Sequence, residues 1–340
     1  MEIALPALNG IVGIATIKNE ADIIEPMIRH NLRFLDSLVV VDNCSSDQSL
    51  ATVLAMREEF PGRLIVRRDA RMGHVQRQIL NDLAIELAAQ GDIACLVPLD
   101  ADELIRADRS LFRQTLLQEI RPVRMPWVTY VPTPLDEQDE KNPICRITRR
   151  RQQEPKQWFK TTFPIHLVGQ AELSPGNHRL IGKGHTPMRL RGFRPRPPKP
   201  DLAARTVAGL SLAHYPVRSR EQLFTKVVIG ALNMRLRTGG KTREGFHWHE
   251  AARTFIENRG MSDAEFYDTA RRYAVTYPVA LVEDPLDLHD ADRPLRFPVE
   301  DQAQLVLKLL GFAQECVDAF GTPPRGVRQR WTKGRRHPAA

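Results

Sequence analysis

The first hundred residues alternate short unbroken apolar runs with longer stretches whose apolar residues recur every three or four positions. Gly10–Ile17 (GIVGIATI) is such a run, the pattern of a strand covered on both faces. From Glu20 to Leu35 the apolar residues Ile23, Ile24, Met27, Ile28, Leu32 and Leu35 keep helical spacing. Ser37–Val41 predicts a second strand, closed by Asp42-Asn43. A helix follows over 47–60, with Leu50, Val53, Leu54 and Met56 inward, then a third strand over 63–66. Residues 75–89 predict a third helix with Gly91 near its C-cap. The fourth strand, 92–99, ends in Asp100-Ala101-Asp102-Glu103. Repeated strand–helix units predict an α/β fold, with a mostly parallel sheet flanked by helices.

From 121 the pattern changes. Prolines, glycines and β-like pieces dominate, among them Arg124–Val131 and Ile144–Thr148. The segment 192–200 (GFRPRPPKP) predicts a stiff extended linker. Beyond it helices are expected over 219–236, 248–258, 262–274 and 301–319. Ser219-Arg220-Glu221-Gln222 and Ser262-Asp263-Ala264-Glu265 fit capping boxes. Four parts result: an α/β half over 1–110, an acceptor-side segment over 111–200, a mainly helical extension over 201–321 and a basic tail over 322–340.

Composition adds limits. The chain has 340 residues, 42% apolar and 26% charged, and no apolar run approaches the roughly 18 residues of a spanning helix. No charged-then-apolar leader opens it. Cys44, Cys95, Cys145 and Cys316 are scattered, which predicts reduced packing residues and a cytoplasmic protein. The net charge of +8 is concentrated. Residues 121–200 hold sixteen Lys/Arg against six Asp/Glu, and 322–340 hold six Lys/Arg and no acid. Such stretches attract polyanions, anionic lipid or phosphorylated ligands, or are solvated faces. The tail is expected to be disordered.

Three polar clusters fall at strand C-terminal ends: Thr16–Glu20, Asp42–Asp47 and Asp100–Glu103. Ligands of open parallel sheets bind there. Two carboxylates at i and i+2 on leaving a strand can converge on one hard cation, Mg²⁺ or Mn²⁺, which neutralises a departing diphosphate. The competing reading is an acid-rich helix N-terminus. No GxGxxG follows the first strand and no GxxxxGK[ST] occurs, which argues against dinucleotide and P-loop folds.

The segments ATIKNE (15–20), VVVDNCSSDQS (39–49) and LDADE (99–103) resemble family 2 glycosyltransferases of the GT-A, Rossmann-like fold, in the branch with DN-x-S-x-D, DADE and HY-x-x-RS motifs. The last motif is His214–Ser219 here, with Lys226 in the following helix. The resemblance implies metal-dependent transfer from a nucleotide-diphosphate sugar to a glycan or glycolipid, with inversion. Thr16 and Glu20 would line the nucleoside pocket, Asp42 would meet base or ribose, and Asp100 ribose and metal waters. Asp102 would ligate Mn²⁺ or Mg²⁺. Arg71 and Arg77 stand where the family places a basic contact, in an altered pattern, and Arg218 with Lys226 would grip the diphosphate. A third metal ligand is sought among His166, His178, His185 and His214, of which His214 has the best context. His247 and His249 read as structural.

Inversion needs a carboxylate to take the acceptor's proton. Glu103, Asp136, Glu137, Glu154 and Glu172 are the candidates. Removing Asp102 is expected to end metal-dependent donor binding with little loss of folding. The basic stretch 121–200 would sit beside the donor site and face an anionic acceptor or the inner membrane surface. Two alternatives are weighed. A nucleotidyltransferase would carry a Gly-rich basic loop after the first strand, which Thr16–Ala21 lacks. A polyanion-binding protein would interleave more aromatics than Trp127, Tyr130, Trp158 and Phe159, so no nucleic acid is expected.

Overall fold

The computed structural model describes residues 6–71, 75–90, 92–182, 202–238, 260–275 and 277–320. In chain order the elements are β1 (Gly10–Ile17), α1 (Ile24–Asn31), β2 (Ser37–Asp42), α2 (Ser49–Glu59), β3 (Leu64–Arg68), α3 (Gln76–Ala88), β4 (Ile93–Leu99) and β5 (Glu103–Arg106). Then come α4 (Arg109–Gln118), β6 (Val123–Thr129), α5 (Pro143–Arg146), β7 (Arg149–Arg151), β8 (Phe159–Pro164), β9 (Ala171–Leu173) and β10 (Leu180–Gly182). The last are β11 (Arg205–Thr206), β12 (Ser211–His214), α6 (Arg220–Thr238), α7 (Asp263–Arg271), β13 (Leu281–Glu283) and α8 (Asp301–Phe320).

The main sheet runs β3-β2-β1-β4-β8-β6-β12-β5, with β11 added beside β6. The pairs β1–β2, β1–β4 and β2–β3 are parallel, as are β6–β12 and β6–β11. β8 and β5 join antiparallel. The fold is thus α/β with a mostly parallel sheet flanked by helices. The unbroken apolar run of β1 has its reason in two cores. Ile11, Ala15 and Ile17 meet α1, α2 and α4 through Ile28, Met56 and Phe112. Val12 and Ile14 meet α3 through Leu80, Leu83 and Leu87. Each such side chain contributes about 1.5–3 kcal/mol on full burial.

One expectation, one competing reading and one stretch without a reading come out differently in the structure. The acidic stretch after β4 does not open a helix: it turns and becomes strand β5. The β-like piece expected at 144–148 is instead the short helix α5, started by Asn142, whose side chain accepts the Ile144 N–H. α4 was not anticipated; Asp108 caps it, and only Phe112 and Leu116 enter the core. Gly91, the linker 192–200, the helix expected at 248–258 and the tail 322–340 lie outside the described residues.

α8 packs along α6 and lies on the loop after β2. Its Gly311 has a packing reason, since a Cβ there would stand 2.1 Å from the Ser46 Cβ. Gly to Ala in a helix interior ordinarily adds about 0.5–1 kcal/mol. Gly311→Ala is expected to do the reverse, lowering stability by about 1–3 kcal/mol through overpacking. Chemical denaturation checks this, and Ser46→Gly in the same chain should restore the loss. Gly311→Ala alone as stable as wild type would show that α8 does not rest on this loop.

Candidate functional site

Parallel register brings the polar clusters together. Ile17 pairs with Asp42, and Ala15 pairs with Leu99 on the other side. Lys18–Glu20, Asp42–Asp47 and Asp100–Glu103 therefore leave the sheet side by side. The first two loops are laced to each other. Asn19 and Cys44 take left-handed φ of 62° and 59°. Asn19 Oδ1 accepts the N–H groups of Ser46 and Asp47, and Ser45 Oγ accepts the Asn19 N–H. Asp47 accepts from Ala21 N–H and Ser49 N–H, so it is occupied in holding the loops.

Asp102 is the centre of an ion cluster assembled from three distant segments. Its Oδ2 lies 2.9 Å from Lys226 Nζ and 3.8 Å from Arg218 Nη1. Its Oδ1 lies 3.9 Å from His214 Nε2. Burial alone would raise the Asp102 pKa, but Lys226, His214 and Arg218 drive it well below the usual carboxylate range. Arg218 is enclosed completely and bonds Glu20 and Asp22, each at 2.5 Å. Asp22 is held at a pKa of about 2 by Arg218 against its burial. Burial outweighs Arg218 and Lys226 at Glu20, whose pKa is raised.

Asp100 sits beside a second ammonium. Lys160 Nζ from β8 lies 2.6 Å from Asp100 Oδ2, and Gln76 Nε2 donates to Asp100 Oδ1 at 2.6 Å. Glu103, fully buried, accepts the Asp100 N–H and stands 3.5 Å from Lys160. Its pKa is raised well above the ordinary value by burial and then by Asp100. His214 belongs to strand β12, between β6 and β5, and pairs with Glu103 and Thr129. Trp127 stacks on its ring at 4.0 Å. Burial lowers its pKa to about 3, so the imidazole is neutral near pH 7.

The remaining candidates are spread out. Thr16 is half-buried in β1. Asp42 is fully buried; its Oδ2 accepts the Ser45 N–H, its Oδ1 has no hydrogen-bond partner, and burial raises its pKa. Arg71 is exposed and bound to Asp69 and Asp82. Arg77 pairs with Glu172 on β9. Asp136 is buried and accepts from both N–H and hydroxyl of Thr133, burial raising its pKa. Glu137 is exposed, and Glu154 accepts the Thr129 N–H. His166 is exposed, and His178 Nδ1 donates to the Phe159 carbonyl at 2.9 Å. His185, His247 and His249 lie outside the described residues. Much of the basic stretch is spent internally, with Arg149 on Glu283, Arg150 on Asp284 and Arg151 on Glu154.

Asp22, Gln76 and Lys160 were not singled out from the sequence. Asp22 stands two residues after Glu20, a spacing that could have drawn notice. Lys160 and Gln76 carry no such signal, because their partner is fixed only by the sheet. Among the described residues no three His, Cys, Asp or Glu side chains are gathered as a metal site. The donor chemistry does suit a hard divalent ion. Asp102 is ionised, His214 is neutral, and His214 Nδ1 and Glu103 Oε1 lack hydrogen-bond partners. The carboxylates are presently neutralised by lysines.

No family model matches this chain, and no curated protein matches it. Solved structures do. The mannosyltransferase PcManGT from Pyrobaculum calidifontis, in complex with GDP-Man and Mn²⁺, is 25% identical over 34% of this chain and 34% of its own, with a TM-score of 0.28. The chain thus spans about a third of that protein's length. S. aureus TarS 1-349 in complex with UDP is 12% identical, covering 74% of this chain and 71% of its own, TM-score 0.34. GalNAc-T7 with UDP, GalNAc and Mn²⁺ is 11% identical over 76% of this chain and 56% of its own, TM-score 0.36. Likenesses of this size carry no activity over to this chain.

Proposed function

We propose that the chain is a GT-A glycosyltransferase of the family 2 kind, moving a sugar from a nucleoside-diphosphate sugar to a glycan or glycolipid hydroxyl with inversion. One observation carries the reading. The HY-x-x-RS segment and Lys226, more than a hundred residues downstream of the DADE turn, dock on Asp102 at the carboxyl ends of the parallel strands. Lys226, the partly exposed ammonium at that edge, would meet the diphosphate once an ion takes over Asp102. Arg218, saturated by acids, fixes Glu20 in place, and the unpartnered Asp42 Oδ1 is an acceptor suited to a ribose hydroxyl or base N–H. Asp100 and Asp102, with His214, would hold Mn²⁺ or Mg²⁺, which would supply counter-charge for the leaving diphosphate.

An acceptor has room nearby. A cavity of about 830 Å³ is lined by Asp22, Arg218, Asp136, Phe266 and Tyr267. Of the candidate bases, Asp136 lines this cavity, whereas Glu103 is enclosed and bonded to its own turn. Under this reading Asp136 takes the acceptor's proton.

A thermal-shift screen of UDP-, GDP-, CMP- and dTDP-sugars, with and without Mn²⁺, tests the proposal. A donor at a hundred times its Kd should stabilise the chain by about 2.7 kcal/mol. Asp136→Asn should keep that shift and lose transfer. A shift unaffected by chelator would remove the ion and leave the lysines as counter-charge. No shift with any donor would overturn the reading.

A further inference from the structure

α8 carries more apolar surface than its packing covers: Leu305, Leu309 and Phe312 are half-buried, and a further apolar strip is exposed. Surface helices ordinarily turn an apolar stripe inward. Here Gln304, Lys308, Gly311 and Glu315, one face at helical spacing, are the side laid on the sheet's loops. Gln304 Oε1 accepts the Gln48 N–H at 3.1 Å. Lys308 Nζ lies 3.7 Å from Asp47, and Glu315 lies 2.5 Å from Lys18 Nζ. Gly311 rests on Ser46. The opposite face holds Ala303, Val306, Leu307, Leu310 and Ala313, flanked by Gln302 and Gln314, and none of these is charged. Val306 is 54% exposed, Leu307 39% and Leu310 63%. Burial among the described residues therefore does not explain the apolar face, and such faces mark contact sites.

The residues that follow indicate which contact. Positions 322–340 hold Arg325, Arg328, Arg330, Lys333, Arg335 and Arg336, no acid, and Trp331. A second copy seated on α8 would cover the apolar face but leave these cations without a counter-charge. An anionic bilayer attracts every one of them, and Trp favours the headgroup region. Neither a modest apolar face nor a basic cluster binds stably alone, but the two together do.

We propose that the outer face of α8 and the basic segment 322–340 together dock the chain on an anionic lipid surface. Polar contacts to Lys18 and Ser46–Gln48 hold this platform against the loops after β1 and β2. Docking would thus bring the candidate site close to the membrane. The proposal stands whether or not the transferase reading holds, because it concerns binding alone.

The test is co-sedimentation of the full chain with phosphatidylcholine vesicles and with vesicles also containing phosphatidylglycerol. Binding is expected to the anionic vesicles only, weakening as salt rises. Val306→Asp/Leu310→Asp and, separately, Arg328→Glu/Arg330→Glu should each lower the partition coefficient about tenfold or more. Circular dichroism of the α8 variant should be unchanged, since both positions are exposed. No binding by wild type overturns the proposal. So does full binding by the α8 variant, which would leave adsorption to the basic segment alone. A wild-type dimer that the α8 variant dissociates, without vesicle binding, would assign the face to a second copy instead.

Discussion

Exchange of Asp102 for alanine is expected to cost about 3–5 kcal/mol of stability, as breaking a buried ion pair does. A fall in Tm of roughly 10 °C should accompany it. The expectation that a site carboxylate can be removed with little effect on folding does not survive its burial. Asp102 is 6% exposed and faces Lys226 and Arg218, the second of which has no exposed side-chain surface. Without the carboxylate, Lys226 loses its 2.9 Å partner and the enclosed Arg218 loses one of its three neighbouring acids. Asp102→Asn should retain the shape and lose most of the charge compensation, falling between the two. Donor-induced thermal shifts should vanish in both. An alanine chain that melts with wild type would show that the cluster is not closed as described.

Arg218→Met is expected to be at least as damaging near neutrality, again about 3–5 kcal/mol, and to change the sign of the acid response. In wild type Asp22 titrates at about 2 rather than at the ordinary 3.8, because Arg218 overrides its burial. A depressed carboxylate adds stability that is present above its unfolded pKa and fades as pH falls toward the folded value. Wild type should therefore lose stability between about pH 4 and 2. In the variant Glu20 and Asp22 are buried acids without their guanidinium, and burial raises their pKa values. Their contribution then improves as pH falls and worsens as it rises. Melting curves from about pH 3 to 8 should show wild type declining on the acid side while the variant recovers part of its deficit. Parallel profiles would mean that Arg218 is not what sets these acids.

The layered sheet is legible because strands covered on both faces are apolar along their length, as Ile11–Ala15 is. Helices α1, α2 and α3 follow from their spacing, and the Ser262 capping box of α7 forms as read, both halves present. β5 escaped because four residues carry no period. α4 escaped because only two of its side chains enter the core. In the candidate site, the acids at strand ends were visible as residues. Their partners were less so. The resemblance has Arg218 and Lys226 reach outward to a diphosphate, whereas the structure encloses Arg218 between Glu20 and Asp22 and leaves Lys226 partly exposed. Lys160 stands in a stretch without pattern, and only the pairing of β8 with β4 and β6 carries it to Asp100.

The place of β12 has a consequence for how the chain comes into being. This strand lies between β6 and β5 and delivers His214 opposite Glu103, with a register of more than a hundred residues' separation. During synthesis β1 to β4 are complete long before Ser211 leaves the ribosome. The early sheet must then carry the carboxylates of Asp100, Asp102 and Glu103 without the cations that later neutralise them. Pairings this distant in sequence form slowly. A nascent chain of this protein therefore passes through an interval in which Asp102 lacks Arg218 and Lys226, and its ion cluster closes only after about two thirds of the 340 residues have been made.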